Sequence, residues 1–401
     1  MLKINAAERK RQMFEIILKP GKEKAVRMGN PWIFTGAIAK ITGKAGSGEI
    51  CQIRSSNSDM LGTGYYNSES AIAVRVLTFG DNQFSVDILR ERMRGAIHNR
   101  GIILKESTDS CRLINSEGDF LPGLIVDKFG AGLVVQFLTA GMEKFRTDVL
   151  NTLIFECKPS FIFERSDTDS RKREGLDESE GLLHGQLPEQ VVVKENGVLF
   201  SVDIGGGQKT GFFFDQRRNR EILRSYAKGR MMCDCFSYSG AFTVNALSED
   251  VRSVECVDIS KNAIEYADRN VRLNFPNANN VSLVKADIFN YLRETENIYD
   301  LIVLDPPKFA KHPGEVERAA RGYKDINLVA MKKIASNGIL FTFSCSNAID
   351  IKLFRQIVFS AAADSGRLVQ VLHILSAGED HPYNIAHKEG EYLKGLVLRV
   401  F

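Results

Sequence analysis

Two short runs carry residue types able to do covalent and acid–base chemistry together. Asp305-Pro306-Pro307-Lys308-Phe309 follows the apolar stretch 300–304, and Ser344-Cys345-Ser346 follows the apolar stretch 338–343. A carboxyl donates or accepts a proton, and a thiol becomes a nucleophile once it is deprotonated. Both apolar stretches have the composition of strands buried on two faces of a parallel sheet. The prolines end the first strand, and Pro306 turns Asp305 away from helical backbone angles. Open α/β sheets bind ligands beyond the carboxyl ends of their strands. If these strands are parallel neighbours, an acid and a thiol face one crevice. Cys345 also lies between two serines, a less apolar setting than a buried filler cysteine wants.

The elements that would position this pair fill the second half of the chain. From about residue 190, strand-like and helix-like stretches alternate, the pattern of a doubly wound parallel sheet. Strands are expected at 231–235, 253–257, 281–284, 301–304, 339–343, 369–375 and 395–401, with helices at 241–247, 261–274, 325–334 and 351–363. Upstream, 14–18, 49–53 and 72–77 read as strands, with Gly43, Gly46, Gly48, Gly62 and Gly64 as turns. A helix at 86–101, a hairpin turning at Gly130, a helix at 145–155, a strand at 161–164 and a charged loop at 165–185 follow. The expected division is an all-β domain over 1–79, a small α+β domain over 80–195 and an α/β domain over 196–401.

A chain of 401 residues is too long for one core, which agrees with two or three domains. The 53 basic and 50 acidic residues leave a net charge of +3, so any RNA contact must come from local patches. No secretory signal is expected, and no apolar run approaches the roughly 20 residues that span a bilayer. Seven scattered cysteines suit a reducing cytoplasm. Cys233 and Cys235 would share one strand face, but two thiols do not make a zinc site, and no metal is expected. Trp32 and Phe34 read as core of a small barrel. The lysines before them, Lys19, Lys22 and Lys24, form a solvated face or one that meets RNA backbone.

A cofactor half precedes the reactive pair. Phe236-Ser237-Tyr238-Ser239-Gly240 lies between the first strand and first helix of the α/β region, where a loop of small residues brings backbone close to a ligand. It lacks the Gly-x-Gly-x-x-Gly pattern of dinucleotide sites. Asp258, with Ile259 beside it, ends the second strand and suits a ribose diol. Asp287 and Ile288 follow the third and suit an adenine amino group and ring face. The set suggests S-adenosylmethionine (AdoMet), although each strand-end Asp alone reads equally as a helix cap. Upstream, Lys209-Thr210-Gly211-Phe212-Phe213-Phe214-Asp215-Gln216-Arg217 borders the same place; Lys209 and Arg217 are candidates for the methionine carboxylate. At least two of its three phenylalanines read as core. Arg217, Arg220, Arg224 and Lys228 fall on one helical face, either solvated or meeting phosphate.

These motifs, together with Asn30-Pro-Trp-Ile-Phe34, Leu121-Pro-Gly-Leu-Ile-Val-Asp127 and Glu391-Tyr-Leu-Lys-Gly395, resemble a bacterial large-subunit ribosomal RNA cytosine-C5 methyltransferase family. The resemblance runs over nearly the whole chain. It implies an N-terminal PUA domain, a small central domain and a C-terminal class I methyltransferase domain. It further implies AdoMet as cofactor, ribosomal RNA as partner and a nucleophilic cysteine matching Cys345. Ser239 and Ala241 stand where glycine-richer versions are common. Chemistry agrees with the implied role: C5 of cytosine becomes nucleophilic only after a thiolate adds to C6. Asp305 would then face the base edge, with Pro306, Pro307, Lys308, Phe309 and Tyr323 around it and Phe309 or Tyr323 stacking on the ring. A base in that crevice has left its stack. Two other readings stay open: methylation of an exocyclic amine, which an Asp-Pro-Pro turn also serves, and a non-catalytic RNA-binding assembly factor. Association into a homodimer is compatible with the sequence.

Overall fold

The computed structural model describes residues 14–205, 211–310 and 312–401, so Lys209 and Thr210 lie outside the described residues. The chain divides into two compact units. One comprises 1–103, 111–189 and 382–390; the other comprises 104–110, 190–381 and 391–401.

The first unit holds a six-stranded sheet and a five-stranded sheet. In the six-stranded sheet, Met60–Tyr66 pairs with both Ile50–Arg54 and Val74–Phe79. This strand was expected to be a turn region because of Gly62 and Gly64. The glycines serve close approach instead: a Cβ on Gly62 would lie 2.0 Å from the Thr78 carbonyl oxygen, and one on Gly64 would lie 2.5 Å from that of Arg75. Phe34 is 49% exposed and lies edge-on to half-buried Trp32 at the surface, so neither is core; the Trp32 Nε1 donates to Glu117 at 2.8 Å. The five-stranded sheet includes the hairpin Leu124–Phe129 and Gly132–Phe137, turning through Gly130. Helices Val86–Asn99 and Arg146–Cys157 accompany it. The segment expected to be a charged loop forms a short helix, Asp169–Arg173, and an edge strand, Ser179–Gly185, paired with Phe161–Ser166. The strand has no β-branched residues, so its conformation comes from this pairing and not from propensity.

In the second unit seven strands form one sheet, numbered here in chain order: β1 Met231–Cys235, β2 Ser253–Asp258, β3 Val281–Lys285, β4 Tyr299–Leu304, β5 Ile334–Ser344, β6 Val369–Leu375 and β7 Lys394–Val400. Their spatial order is β3-β2-β1-β4-β5-β7-β6. The first five are parallel, and β7 runs antiparallel to both neighbours. Alternate residues of one strand feed opposite cores. Ile302 and Leu304 join Cys233, Cys235 and Leu340 on one face, while Leu301 and Val303 join Met232, Ile339 and Phe341 on the other. The helices are α1 Arg217–Ala227, α2 Ala241–Leu247, α3 Lys261–Asn274, α4 Ile288–Glu294, α5 Val316–Lys333 and α6 Ile351–Ser365. Local chemistry sets their ends: Ser260, Asp287 and Asp350 cap α3, α4 and α6, and left-handed Gly366 stops α6. Helix α5 starts well before the expected 325, because Ala319, Tyr323, Ile326 and Ala330 continue one buried stripe beneath a charged surface.

On the basic face of α1 the three arginines turn inward, and only Lys228, 82% exposed at its end, stays solvated. Arg220 is 2% exposed, and its Nε and Nη2 donate to the two carboxylate oxygens of buried Glu195 at 2.6 and 2.7 Å. Arg217 makes a two-pronged pair with buried Asp380, at 2.9 and 2.8 Å. Arg224 donates to Asn245 at 2.7 Å and to the Asn196 carbonyl at 2.9 Å. Glu195 sits in the hairpin Val191–Glu195 and Val198–Val202, which packs beside α3 through Asn270 and Asn274. Glu195→Ala should strand a buried guanidinium and lower the stability of this unit by about 3–5 kcal/mol. The measurement is urea denaturation, with Glu195→Gln expected to lose less.

Candidate active site

Strand register brings the two reactive runs together. Leu304 of β4 stands opposite Thr342 of β5, so Asp305 leaves the sheet there while β5 continues to Ser344 and delivers Cys345 beyond it. Cys345 is half-buried, and its Sγ lies 3.8 Å from the carbonyl oxygen of Pro306. The thiol therefore faces the Asp305-Pro306 turn.

Ser346 anchors this loop. Its Oγ accepts from the Ala310 amide at 3.4 Å and meets the Tyr323 hydroxyl at 3.2 Å; its carbonyl accepts from Lys394 Nζ at 2.8 Å. Ser344 Oγ accepts from the Ser346 amide at 3.4 Å. The flanking serines thus tie the cysteine to α5, β7 and the proline turn. Tyr323 is fully buried, with its ring 4.6 Å from that of Phe309 and 5.8 Å from that of Phe354. It underlies the site, so the expectation of a stacking ring passes to half-buried Phe309. Phe309 lines a cavity of about 370 Å³ with Phe289, Lys308, Arg318, Ala319 and Gly322. Pro306 is buried; Pro307 and Lys308 are exposed.

Asp305 is pushed up to about 7, chiefly by burial and then by the nearby Asp215 carboxylate, against a hydrogen bond from the Gln216 side chain. Burial also pushes Asp234, at the centre of β1, up to about 7, although Thr243 donates to it from both its amide at 3.1 Å and its hydroxyl at 2.7 Å. Three consecutive side chains brace the entrance. Asp215 accepts from the Tyr392 hydroxyl at 2.6 Å, Gln216 reaches Asp305, and Arg217 holds Asp380. Arg217 was expected to meet the methionine carboxylate; the structure gives its guanidinium fork to Asp380. Phe212 and Phe214 are core, and Phe213 packs edge-on against Tyr238 with centroids 5.3 Å apart.

The loop after β1 holds Phe236, Tyr238 and Gly240 at φ of 61°, 47° and 67°. Two non-glycine residues in left-handed conformation within one loop store strain of the kind found at ligand sites. Gly240 cannot gain a side chain, because a Cβ would lie 2.9 Å from that of Ala267. The carboxylate of Asp258 accepts from the Tyr238 amide at 3.0 Å and the Ser260 amide at 2.8 Å, keeping one further lone pair on each oxygen. Ile259 beside it is 63% exposed, an apolar face that a ring would cover. Asp287 caps α4 by accepting from the Asn290 amide at 3.0 Å. Ile288 was expected to cover an adenine face but is 2% exposed, within the core; Phe289 is the half-buried apolar residue at that strand end. A strained loop, a carboxylate with acceptor capacity and an uncovered isoleucine fit a nucleoside-bearing cofactor. Asn270, fully buried, joins this loop to the hairpin by accepting from the Ser201 amide and donating to the Ser239 carbonyl, at 2.8 and 2.9 Å. Sequence reading missed it, as it missed Gln216 and Phe289. Among the described residues no group of side chains could hold a metal ion, and no helix is long and apolar enough to cross a membrane.

Sheet order and site together define a class I S-adenosylmethionine-dependent methyltransferase. The model of the S-adenosylmethionine-dependent methyltransferase family matches residues 169–373, and that of the PUA-like domain matches 16–79. Ribosomal RNA large subunit methyltransferase I of Shewanella frigidimarina is 40% identical over 393 residues, covering 96% of this chain and 99% of its own. The protein of the same name from Alteromonas mediterranea is 39% identical over 392 residues, covering 96% and 98%. A candidate SAM-dependent methyltransferase from Streptococcus mutans shares the fold at a TM-score of 0.83 and 21% identity, over 97% of this chain and 100% of that one. The structure of SMU.776 complexed with SAH does so at a TM-score of 0.84 and 21% identity, with the same coverage. This chain belongs to the ribosomal RNA large subunit methyltransferase I family.

Buried Asp234 and half-buried Asp305 give a stability signature. Their folded pKa values, about 7, exceed the ordinary 3.8, so the folded state binds more protons than the unfolded chain between these limits. Stability contributed by the protonated carboxyls is present below about pH 4 and is lost as pH rises toward 7. Asp234→Asn should flatten this decline, measured by urea denaturation at pH 5 and pH 7.5.

Proposed function

We propose that this enzyme methylates C5 of a cytosine in large-subunit ribosomal RNA, with Cys345 as nucleophile. The observation that carries the reading is the half-buried Cys345 thiol, 3.8 Å from the Pro306 carbonyl and facing the turn that bears Asp305. The names of the full-length relatives and the PUA-like match supply the RNA. In this reading 1–79 is an RNA-binding domain, 80–195 a connecting domain and 196–401 the catalytic domain.

The chemistry follows from the side chains. The Cys345 thiolate adds to C6, and the ring electrons move toward C5 and N3. Asp305, whose carboxyl stays partly protonated near neutral pH, donates a hydrogen bond to N3 and stabilises that density. When bound, the cofactor supplies an electrophilic methyl group to C5. Loss of the C5 proton to a base then breaks the carbon–sulfur bond, releasing 5-methylcytosine and the free thiolate. The cofactor site is read as Asp258 on the ribose diol and Ile259 and Asp287 around the adenine. The loop Phe236, Ser237, Tyr238 and Gly240 lies against the amino-acid portion. Gly211 is read as part of that wall, with Asp215 and Arg217 bracing it; Lys209 and Thr210 stay candidates by sequence for the same portion of the cofactor. The target base lies between Pro306, Pro307, Lys308 and Phe309, with Arg318 and Phe289 available to a flanking nucleotide.

Cys345→Ser should keep AdoMet affinity and abolish tritium release from ribosomal RNA carrying C5-labelled cytosine. Undiminished release would remove the nucleophile, and methyl transfer without any tritium release would favour an exocyclic amine. Asp258→Ala should weaken S-adenosylhomocysteine binding about tenfold or more by calorimetry, the worth of hydrogen bonds to a charged acceptor. An unchanged dissociation constant would take Asp258 out of the site.

A further inference from the structure

Behind the cysteine loop lies a buried cation that the reading above does not use. Lys394 opens β7 directly opposite Ser344 and is 2% exposed. Its Nζ donates to the carbonyls of Ser346 and Tyr392, at 2.8 and 2.7 Å. Both acceptors are neutral. Among the described residues no carboxylate lies within ion-pair distance of it, unlike the buried arginines Arg217 and Arg220 of the same unit. An ammonium carries three N–H donors, so one remains after the two carbonyls. A buried ammonium without a counter-ion is costly, and an adjacent anion relieves that cost.

We propose that Lys394 is a positioning residue whose ammonium group holds Cys345 as a reactive thiolate. The proposal rests on the nucleophile reading of Cys345. The groups that act electrostatically on the ammonium are the Cys345 thiol, Glu391, Asp350 and Lys308. The Cys345 thiol occupies the residue next to the carbonyl that Lys394 grips, and on deprotonation it becomes the anion the lysine lacks. An opposite charge within about 4–6 Å lowers the pKa of an acidic group by about one to three units. Burial pulls Lys394 down to about 8, so the ammonium is charged at neutral pH and fades only above that value. The hydrogen bond to Ser346 adds geometry to charge, because it fixes the backbone immediately after the nucleophile.

The test is the pH dependence of Cys345 alkylation by iodoacetamide in the full-length protein, followed by mass spectrometry of the Cys345 peptide. The wild-type midpoint should fall below the value of about 8.5 for a free thiol. Lys394→Gln keeps an amide donor without the charge, and Lys394→Met removes both. Each should raise the midpoint by about a unit or more and slow alkylation at pH 7 about tenfold. Lys394→Arg should restore most of the rate. A wild-type midpoint at or above 8.5, or a Lys394→Gln profile that overlays the wild type, would overturn the proposal. The wild-type measurement decides the matter even if both neutral variants fail to fold. S-adenosylhomocysteine binding, which a purely structural defect would weaken, should stay unchanged in Lys394→Gln. Alkylation does not depend on what Cys345 attacks. A shifted profile with full methyl transfer in Cys345→Ser would therefore sink the nucleophile reading and leave the lysine–thiol pair intact.

Discussion

The pairing of β4 with β5 sets where Asp305 and Cys345 stand. Parallel strands hold a fixed register through their slanted hydrogen bonds, and a side chain at a strand end has its position set by every pair before it. Leu304 opposite Thr342 means that one strand stops at Leu304 while its neighbour runs two residues further, to Ser344. A slip of one residue would exchange the two core faces of either strand. Leu304 and Leu340 lie in one core and Phe341 and Phe343 in the other, so such a slip would force each set into the core packed for the other. The thiol and the acid are held together by the hydrophobic cores of the sheet far more than by bonds to each other.

Around that pair, loops are tied by side chains from distant parts of the sequence. Asp215, Gln216 and Arg217 reach Tyr392, Asp305 and Asp380 respectively, and Ser346 collects bonds from Ala310, Tyr323 and Lys394. These bonds hold backbone that would otherwise relax. Left-handed Phe236 and Tyr238 need such support, since each costs on the order of 1–3 kcal/mol. Asp258 and Asn270 supply it by holding Tyr238 and Ser239. A loop braced from below presents its ligand-facing groups without reorganisation, which is how binding energy is kept for the ligand.

The parts legible in the sequence were those with local causes. Apolar runs ending in turn residues marked β1 and β6 at their observed bounds and the other five strands within five residues at either end. Helices α2 and α3 appeared at their expected bounds, because Gly240 and Ser260 mark where they begin. The failures share one origin. Met60–Tyr66 looks like a turn region until Thr78 and Arg75 are seen to crowd Gly62 and Gly64. Ser179–Gly185 has no strand propensity and borrows its form from Phe161–Ser166. Ile288 and Phe289 are adjacent and both apolar, and only the packing of α4 decides which one faces the cavity. Each depends on a partner that sequence order does not place nearby.

The same dependence changes the meaning of the net charge. Arginines at helical spacing in 217–224 suggested a surface for phosphate, yet Glu195 and Asp380 neutralise two of them inside the protein. In the first unit Arg75, Arg100 and Arg112 are likewise paired with Glu174, Asp119 and Asp127 at 2.8, 2.6 and 2.7 Å. Buried arginines of this kind are spent on fixing loops, so their charge scarcely reaches a ligand in solvent. The cations that reach solvent are those on the surface, such as Lys22 and Lys24 before Trp32. Phosphate binding depends on how many charges face the polyanion and not on the total. A net charge of +3 is therefore compatible with an RNA substrate, since the buried pairs cancel and the charges that reach solvent are those on the surface.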